Sequence, residues 1–159
     1  MAGAAGTWLW ATKYPDMMDI AVPMASFPTP MAGRNWMMRR LLIDAIKSDP
    51  EWKDGNYDKQ PSNFQLTYVF FTVGTNGGDQ ALFKAGPTRE QADEVLKKRM
   101  AAPFTGDAND YIYQWGSSRD YDASAGLEKI KATVLAINSA DDEGNPRSRG
   151  IMERERNRV

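Results

Sequence analysis

Two short apolar runs set the limits on how this chain can fold. The first is Asp19 to Ser26 (DIAVPMAS), and the second opens the stretch Ala132 to Pro146 (ATVLAINSADDEGNP). Both have the length and the β-branched content of buried strands. Between them lie about a hundred residues of mostly helical patterning. Parallel neighbours need a long crossover, because the chain must return to the same end of the sheet before pairing again. The order of helix, strand, several helices, strand and helix therefore predicts an α/β fold. Its two parallel strands carry flanking helices within a single domain over 1–159. Residues 1–30 and 120–159 form its sheet and core, and residues 31–119 are a helical lid insertion. Pro23 has no N–H to give to a ladder, so the first run is expected at an edge or a bulge.

The second run is chemically interesting for how it ends: Asp141, Asp142 and Glu143, then Gly144, Asn145 and Pro146. In open α/β sheets ligands bind outside the carboxyl ends of the strands, so an acidic cluster there is a candidate site. The alternative is a solvated turn that starts a polar last helix, with Asn145 as N-cap and Pro146 at the first helical position. Three adjacent acids cannot converge on one ion without further ligands, and no other acidic cluster has the spacing of a calcium loop. No metal site is expected.

The remaining elements follow from periodicity and caps. Residues 6–14 read as a helix closed by Pro15, and the clustered Trp8, Leu9 and Trp10 predict that it is largely buried. The prolines of Phe27 to Gly33 exclude helix. Arg34 to Ser48 has helical spacing and stops at Asp49-Pro50, after which residues 51–61 read as loop. Ser62 and Gln65 make a capping-box pattern ahead of a helix from Asn63 to Thr75, although its β-branched and aromatic content also suits a strand. Asn76-Gly77-Gly78 ends that element and lacks the Lys and spacing of a phosphate-binding loop. Thr88 and Gln91 repeat the capping box before what reads as the best amphipathic helix of the chain, with Ala92, Val95, Leu96 and Met100 on its stripe. Asp107 caps a further helix running to about Arg119.

Composition removes several kinds of chemistry. The formal net charge is −1, which gives no electrostatic case for nucleic acid or an anionic membrane. No apolar run approaches the ~20 residues of a membrane span, and the first residues lack the pattern of a signal peptide. There are no cysteines, which excludes disulfides and thiol catalysis, and no histidines. The second absence is the more decisive, because His is the usual general base near neutral pH and the commonest metal ligand.

Four pieces, TWLWATKYPDMMDIAVPMAS, MAGRNWMMRRLLIDAIKSDPEWKDGNY, APFTGDANDYIYQWGSSRDYD and LAINSADDEGNP, resemble consecutive parts of the homoserine O-acetyltransferase family. That family belongs to the α/β-hydrolase superfamily, and the likeness is nearest to its hydrolase branch. The most specific match is the DPxWxxGxY stretch of Asp49, Pro50, Trp52, Gly55 and Tyr57. The resemblance implies a partial α/β-hydrolase fold and a Ser-His-Asp triad that moves an acyl group from acetyl-CoA to a hydroxyl, or hydrolyses an ester. It implies Asp142 as the triad acid, four residues ahead of where the family places its proline, with Asp141 as the alternative. Aligned on Thr7, the family's serine falls at Met1, with Ala2, Gly3 and Ala4 in the remainder of the elbow, and its His falls beyond Val159.

The chain is therefore expected to be a truncated member, inactive alone. The alternatives are a non-catalytic helical interaction module, or one half of a split enzyme completed by a partner chain. In the acetyltransferases an arginine sits three residues before the Ile46 position; here it is Ile43, with Arg39 and Arg40 out of register. The resemblance further implies a cytoplasmic protein with small-molecule acyl donor and acceptor, acetyl-CoA as substrate and no bound cofactor. Charge and hydropathy give no nucleic-acid or membrane partner; the resemblance implies a homodimer through the lid helices, and the unpaired edge of a two-stranded sheet suits a complementing chain.

Overall fold

A computed structural model describes residues 2–75 and 78–159, so the residues read as ending the third helix, Asn76 and Gly77, lie outside the described residues, as does Met1. The chain divides into two compact units, Met1–Gly33 with Ser117–Val159, and Arg34–Gly116. Among the described residues no helix is long and apolar enough to cross a membrane.

The first unit holds the sheet. Strands β1 (Ile20–Ala21) and β2 (Thr133–Val134) are parallel, with Ile20 opposite Thr133 and Ala21 opposite Val134. The regular strands are far shorter than the apolar runs, and Pro23 is the reason. Leu135 N–H donates to Ala21 O and Ile137 N–H donates to Pro23 O, but Pro23 has no N–H to return to Leu135. The ladder therefore lapses after Ala21 and resumes as an isolated bridge between Met24 and Ile137.

Helix α1 (Ala2–Lys13) packs on this sheet and places Trp8 in a core with Tyr121, Ala123 and Leu127. Its burial is one-sided, contrary to the expectation of a largely buried helix: Trp10 is 52% exposed and stacks at 4.9 Å on Tyr14. Trp8 and Trp10 are about 200° apart around a helix and cannot share a face. Beyond the sheet come a 3-10 turn at Arg147–Arg149 and a short helix α7 (Ile151–Glu155).

That unit contains α2 (Gly33–Ser48), α3 (Phe64–Thr75), α4 (Gly78–Ala85), α5 (Arg89–Ala101) and α6 (Ala108–Gly116). Its core is Leu42, Ile46, Phe64, Phe71 and Ala108. The segment between α2 and α3 is not simple loop, since Pro50–Gly55 forms a 3-10 helix. Segment 64–75 is helix rather than strand, but the Ser62/Gln65 box does not form. Ser62 and Asn63 N–H groups donate to Glu51 and Asp49, and the Gln65 amide reaches Met100 O and Ala102 O instead.

Helix α4 was not legible from the residues; it has Asp79 in its first turn and Lys84 in its last, which suit the helix dipole, but no side-chain cap pattern. In α5 half of the expected box is present, with Thr88 Oγ1 accepting from Gln91 N–H at 3.3 Å. None of its residues is buried: of the stripe, Ala92 and Val95 are half-buried and Leu96 and Met100 are exposed. Helix α6 stops at Gly116, short of Arg119.

Candidate functional site

The carboxyl ends of β1 and β2 are joined by a small polar network. Ala25 N–H donates to Ile137 O at 2.8 Å, and Ala25 has φ 53. A left-handed conformation costs a non-glycine residue about 1–2 kcal/mol, so the surroundings must hold it. On one side Ser26 is buried and accepts from Trp8 Nε1–H at 3.2 Å. On the other, Ala25 O accepts from Asn145 Nδ2 at 3.2 Å.

The same Asn145 amide donates to Asp142 Oδ2 at 3.1 Å. Asp142 Oδ1 accepts from Gly144 N–H at 2.7 Å and Asn145 N–H at 3.0 Å, so the carboxylate is fixed by the turn that follows it. Asp142 is half-buried, whereas Asp141 is exposed. Asn145 is 4% exposed. It does not cap a helix, and Pro146 has ψ 138 as the cap of the 3-10 turn rather than the first residue of a helix. The expected solvated helix start is therefore replaced by a buried bridge from the acid to the end of β1. Among the described residues no group of three or more carboxylates is arranged to hold a metal ion.

Of the elbow positions, Met1 lies outside the described residues, and Ala2, Gly3 and Ala4 fall within the first turn of α1.

The DPxWxxGxY stretch is tied down by hydrogen bonds at every polar position. Asp49 Oδ1 accepts from Glu51 N–H and Oδ2 from Asn63 N–H, which holds both ends of the segment. Lys53 and Asp54 have φ 48 and 54, and Gly55 has φ 89, so the chain reverses through three left-handed residues. Trp52 Nε1–H donates to Asn109 Oδ1 at 2.8 Å, and Asn109 Nδ2 returns a bond to Gly55 O at 3.0 Å. Tyr57 O–H donates to Asp107 Oδ1 at 2.9 Å, and Gln60 Nε2 donates to Asp107 Oδ2 at 2.6 Å. Asp107 also accepts from Asn109 and Asp110 N–H, as the expected cap of α6. The motif is thus a clamp on the first turn of α6.

Partial burial by itself pushes the Asp107 carboxyl up, but hydrogen bonds from Asp110 N–H, Gln60, Tyr57 and Asn109 N–H outweigh it and hold the group below its usual value. Asp107→Ala is expected to cost about 2 kcal/mol in chemical denaturation at neutral pH. A carboxyl depressed in the folded state stabilises fully above its unfolded value and loses that contribution as pH falls through the folded one. The gap between wild type and Asp107→Ala should therefore hold from neutral pH to about 4 and shrink below it. A gap that is constant down to the acid limit would remove the charge from this explanation.

Arg39 and Arg40, out of register with the arginine that the resemblance implies, are both held by partners within the helical unit. Arg39 is buried, donates from Nε to Asn35 Oδ1 at 2.8 Å and lies 4.7 Å from the Trp115 ring centre; burial lowers its pKa from the ordinary value. Arg40 is exposed and pairs with Asp44 at 2.7 Å. Ile43 is a buried aliphatic residue of α2.

Comparison with known proteins gives one consistent direction. No family model matches the chain. The homoserine O-acetyltransferase of Methanohalobium evestigatum is 27% identical over 158 aligned residues, covering 84% of this chain and 32% of that protein. The enzyme of the same description from Chlorobaculum tepidum is 28% identical, covering 82% of this chain and 41% of its own length. The chain thus spans about a third to two fifths of the curated relatives it matches.

Among solved structures, homoserine O-acetyltransferase from Bacillus anthracis superposes with a TM-score of 0.82 at 20% identity, over 99% of this chain and 48% of that one. The acetyl esterase MekB gives 0.77 at 19% identity, over 97% and 48% of the two chains. An acetylester hydrolase from Corynebacterium glutamicum gives 0.75 at 17% identity, over 98% and 48%. By sequence the chain is similar to homoserine O-acetyltransferases over most of its length, and its fold is part of the α/β-hydrolase fold of the solved homoserine O-acetyltransferase and acetyl esterases.

Proposed function

We propose that this chain supplies the acid and the helical lid of an acyltransferase or esterase site of the Ser-His-Asp kind, with Asp142 as the acid. The observation that carries the reading is how the Asp142 carboxylate is occupied. Oδ1 accepts two backbone N–H groups, while Oδ2 accepts only the Asn145 amide. A carboxylate oxygen has two acceptor positions, so Oδ2 keeps one for an imidazole N–H. In such a site a serine Oγ attacks the acyl carbonyl, and His takes the serine proton and passes it to the leaving group. The leaving group is a thiol from acetyl-CoA or an alcohol from an ester. A hydroxyl or water then attacks the acyl-serine, giving its proton to the same His. The acid orients the imidazole and stabilises its cation without taking the proton.

These 159 residues contain no histidine, so a triad built on Asp142 draws its His from outside them, together with an elbow serine. The acceptor is also expected to differ from homoserine. A buried Ile43 offers nothing to a substrate carboxylate, and Arg39 is committed to Asn35 and Trp115.

A second reading, one half of a two-chain enzyme, is favoured by one face of the sheet. Ile20, Val22, Met24, Leu135 and Ile137 alternate along the paired strands and are all exposed. A run of apolar side chains on a sheet face is a surface that another chain would cover.

The test is turnover of p-nitrophenyl acetate, and of acetyl-CoA with hydroxyl acceptors, by the purified 159-residue polypeptide. No rate above buffer is expected. Turnover that survives further purification would overturn the proposal. Turnover that appears only on adding a polypeptide with an elbow serine and a histidine would favour the two-chain arrangement.

A further inference from the structure

The helical unit carries a pocket that the acyl-transfer reading does not use. It lies between α3 and the end of α5, has a volume of about 410 Å3, and its lining includes Gln65, Tyr68, Val69, Thr72, Arg99 and Phe104. Its apolar wall is continuous with the core: Tyr68 and Phe104 have ring centres 5.1 Å apart, and Phe104 packs edge-on against buried Phe64 at 5.0 Å.

Arg99 is the unusual member. Its neighbours Lys97 and Lys98 are exposed, and Lys97 pairs with Glu94, but Arg99 is partly buried and forms no ion pair with a described residue. A basic residue in a last helical turn ordinarily serves the unpaired carbonyls there. Here that work is done by Gln65, whose Nε2 donates to Met100 O at 2.7 Å and Ala102 O at 3.1 Å. Arg99 thus lines the same pocket as Tyr68 and Phe104 without an ion pair to a described residue.

We propose that the α3–α5 pocket binds a small carboxylate with an aromatic or branched apolar body, the carboxylate taken by Arg99 and the body by Tyr68 and Phe104. The planar guanidinium fork matches a carboxylate with two parallel hydrogen bonds, and partial burial strengthens that pairing over one in open solvent. The volume is within the range of small-molecule sites, which are mostly apolar with a few placed polar groups. The proposal rests on no part of the Asp142 reading, and either can fail without the other.

The experiment is a titration of the 15N-labelled 159-residue chain with phenylacetate, with neutral phenylacetamide and with acetate, read by amide shifts. Phenylacetate is expected to shift residues 65, 68, 72, 99 and 104. Its affinity should exceed that of the other two probes by about tenfold or more. Arg99→Gln should bring phenylacetate down to the level of phenylacetamide while the rest of the spectrum stays in place. No shifts at the pocket, equal binding of the acid and the amide, or an unchanged affinity in Arg99→Gln would each overturn the proposal.

Discussion

Phe64→Ala is expected to lower the stability of the unit spanning 34–116 by about 3–5 kcal/mol, while Leu66→Ala changes it by less than about 0.5 kcal/mol. The two residues are two apart on one helix and similar in hydrophobicity, so the difference isolates packing. Phe64 is 1% exposed and Leu66 57%. Phe64 meets Phe104 and Tyr111 edge-to-face at 5.0 and 5.2 Å, inside the cluster of Leu42, Ile46, Phe71 and Ala108. Truncation removes those contacts and leaves a cavity that the two aromatic neighbours cannot close. Domains have only about 5–15 kcal/mol in hand, so the variant should sit near the edge of folding. Denaturation followed by amide exchange in α2, α3 and α6 reads the effect. Equal losses for the two variants would mean that this aromatic cluster does not hold the unit together.

The two strands and their parallel pairing were legible because apolar β-branched runs separated by a long helical stretch leave few alternatives. Their regular length was not, although Pro23 marked the place where it breaks. A reader who counts ladder donors can see that one N–H is missing, but not that the strands pair again at Met24 and Ile137. The exposure of Trp10 was within reach of helical geometry alone. The poor cover over α5 was not, since a stripe of apolar residues says nothing about whether a neighbour lies against it.

The candidate site shows the same limit. The acids at the end of β2 could be found from the run that precedes them, and the family resemblance carried by the DPxWxxGxY stretch was upheld by relatives and fold alike. The role of Asn145 was hidden. Asn followed by Pro reads as a helix start, and nothing local reveals that the carbonyl of Ala25, far earlier in the chain, competes for its amide. Likewise the motif of Trp52 and Tyr57 was visible, while its partners Asp107 and Asn109 come from a segment about fifty residues further on.

The largest expected effect is on catalysis, and it calls for an intact site. On the proposed reading, residues 7–159 take the place of the superposed segment of the Bacillus anthracis homoserine O-acetyltransferase, and the elbow serine and histidine come from the remainder of that protein. A carboxylate that orients the catalytic imidazole is worth about 10⁴ in kcat when replaced by its amide, because Asn favours the wrong tautomer. Asp141, exposed and outside the hydrogen-bond network, should matter little. The measurement is kcat for p-nitrophenyl acetate in the chimera and in its Asp142→Asn and Asp141→Asn variants. A loss of about 10⁴-fold for Asp142→Asn, with Asp141→Asn within about threefold of the parent, is the predicted result. A chimera that keeps its rate without the Asp142 carboxylate, or loses it with Asp141, would contradict the assignment of the acid.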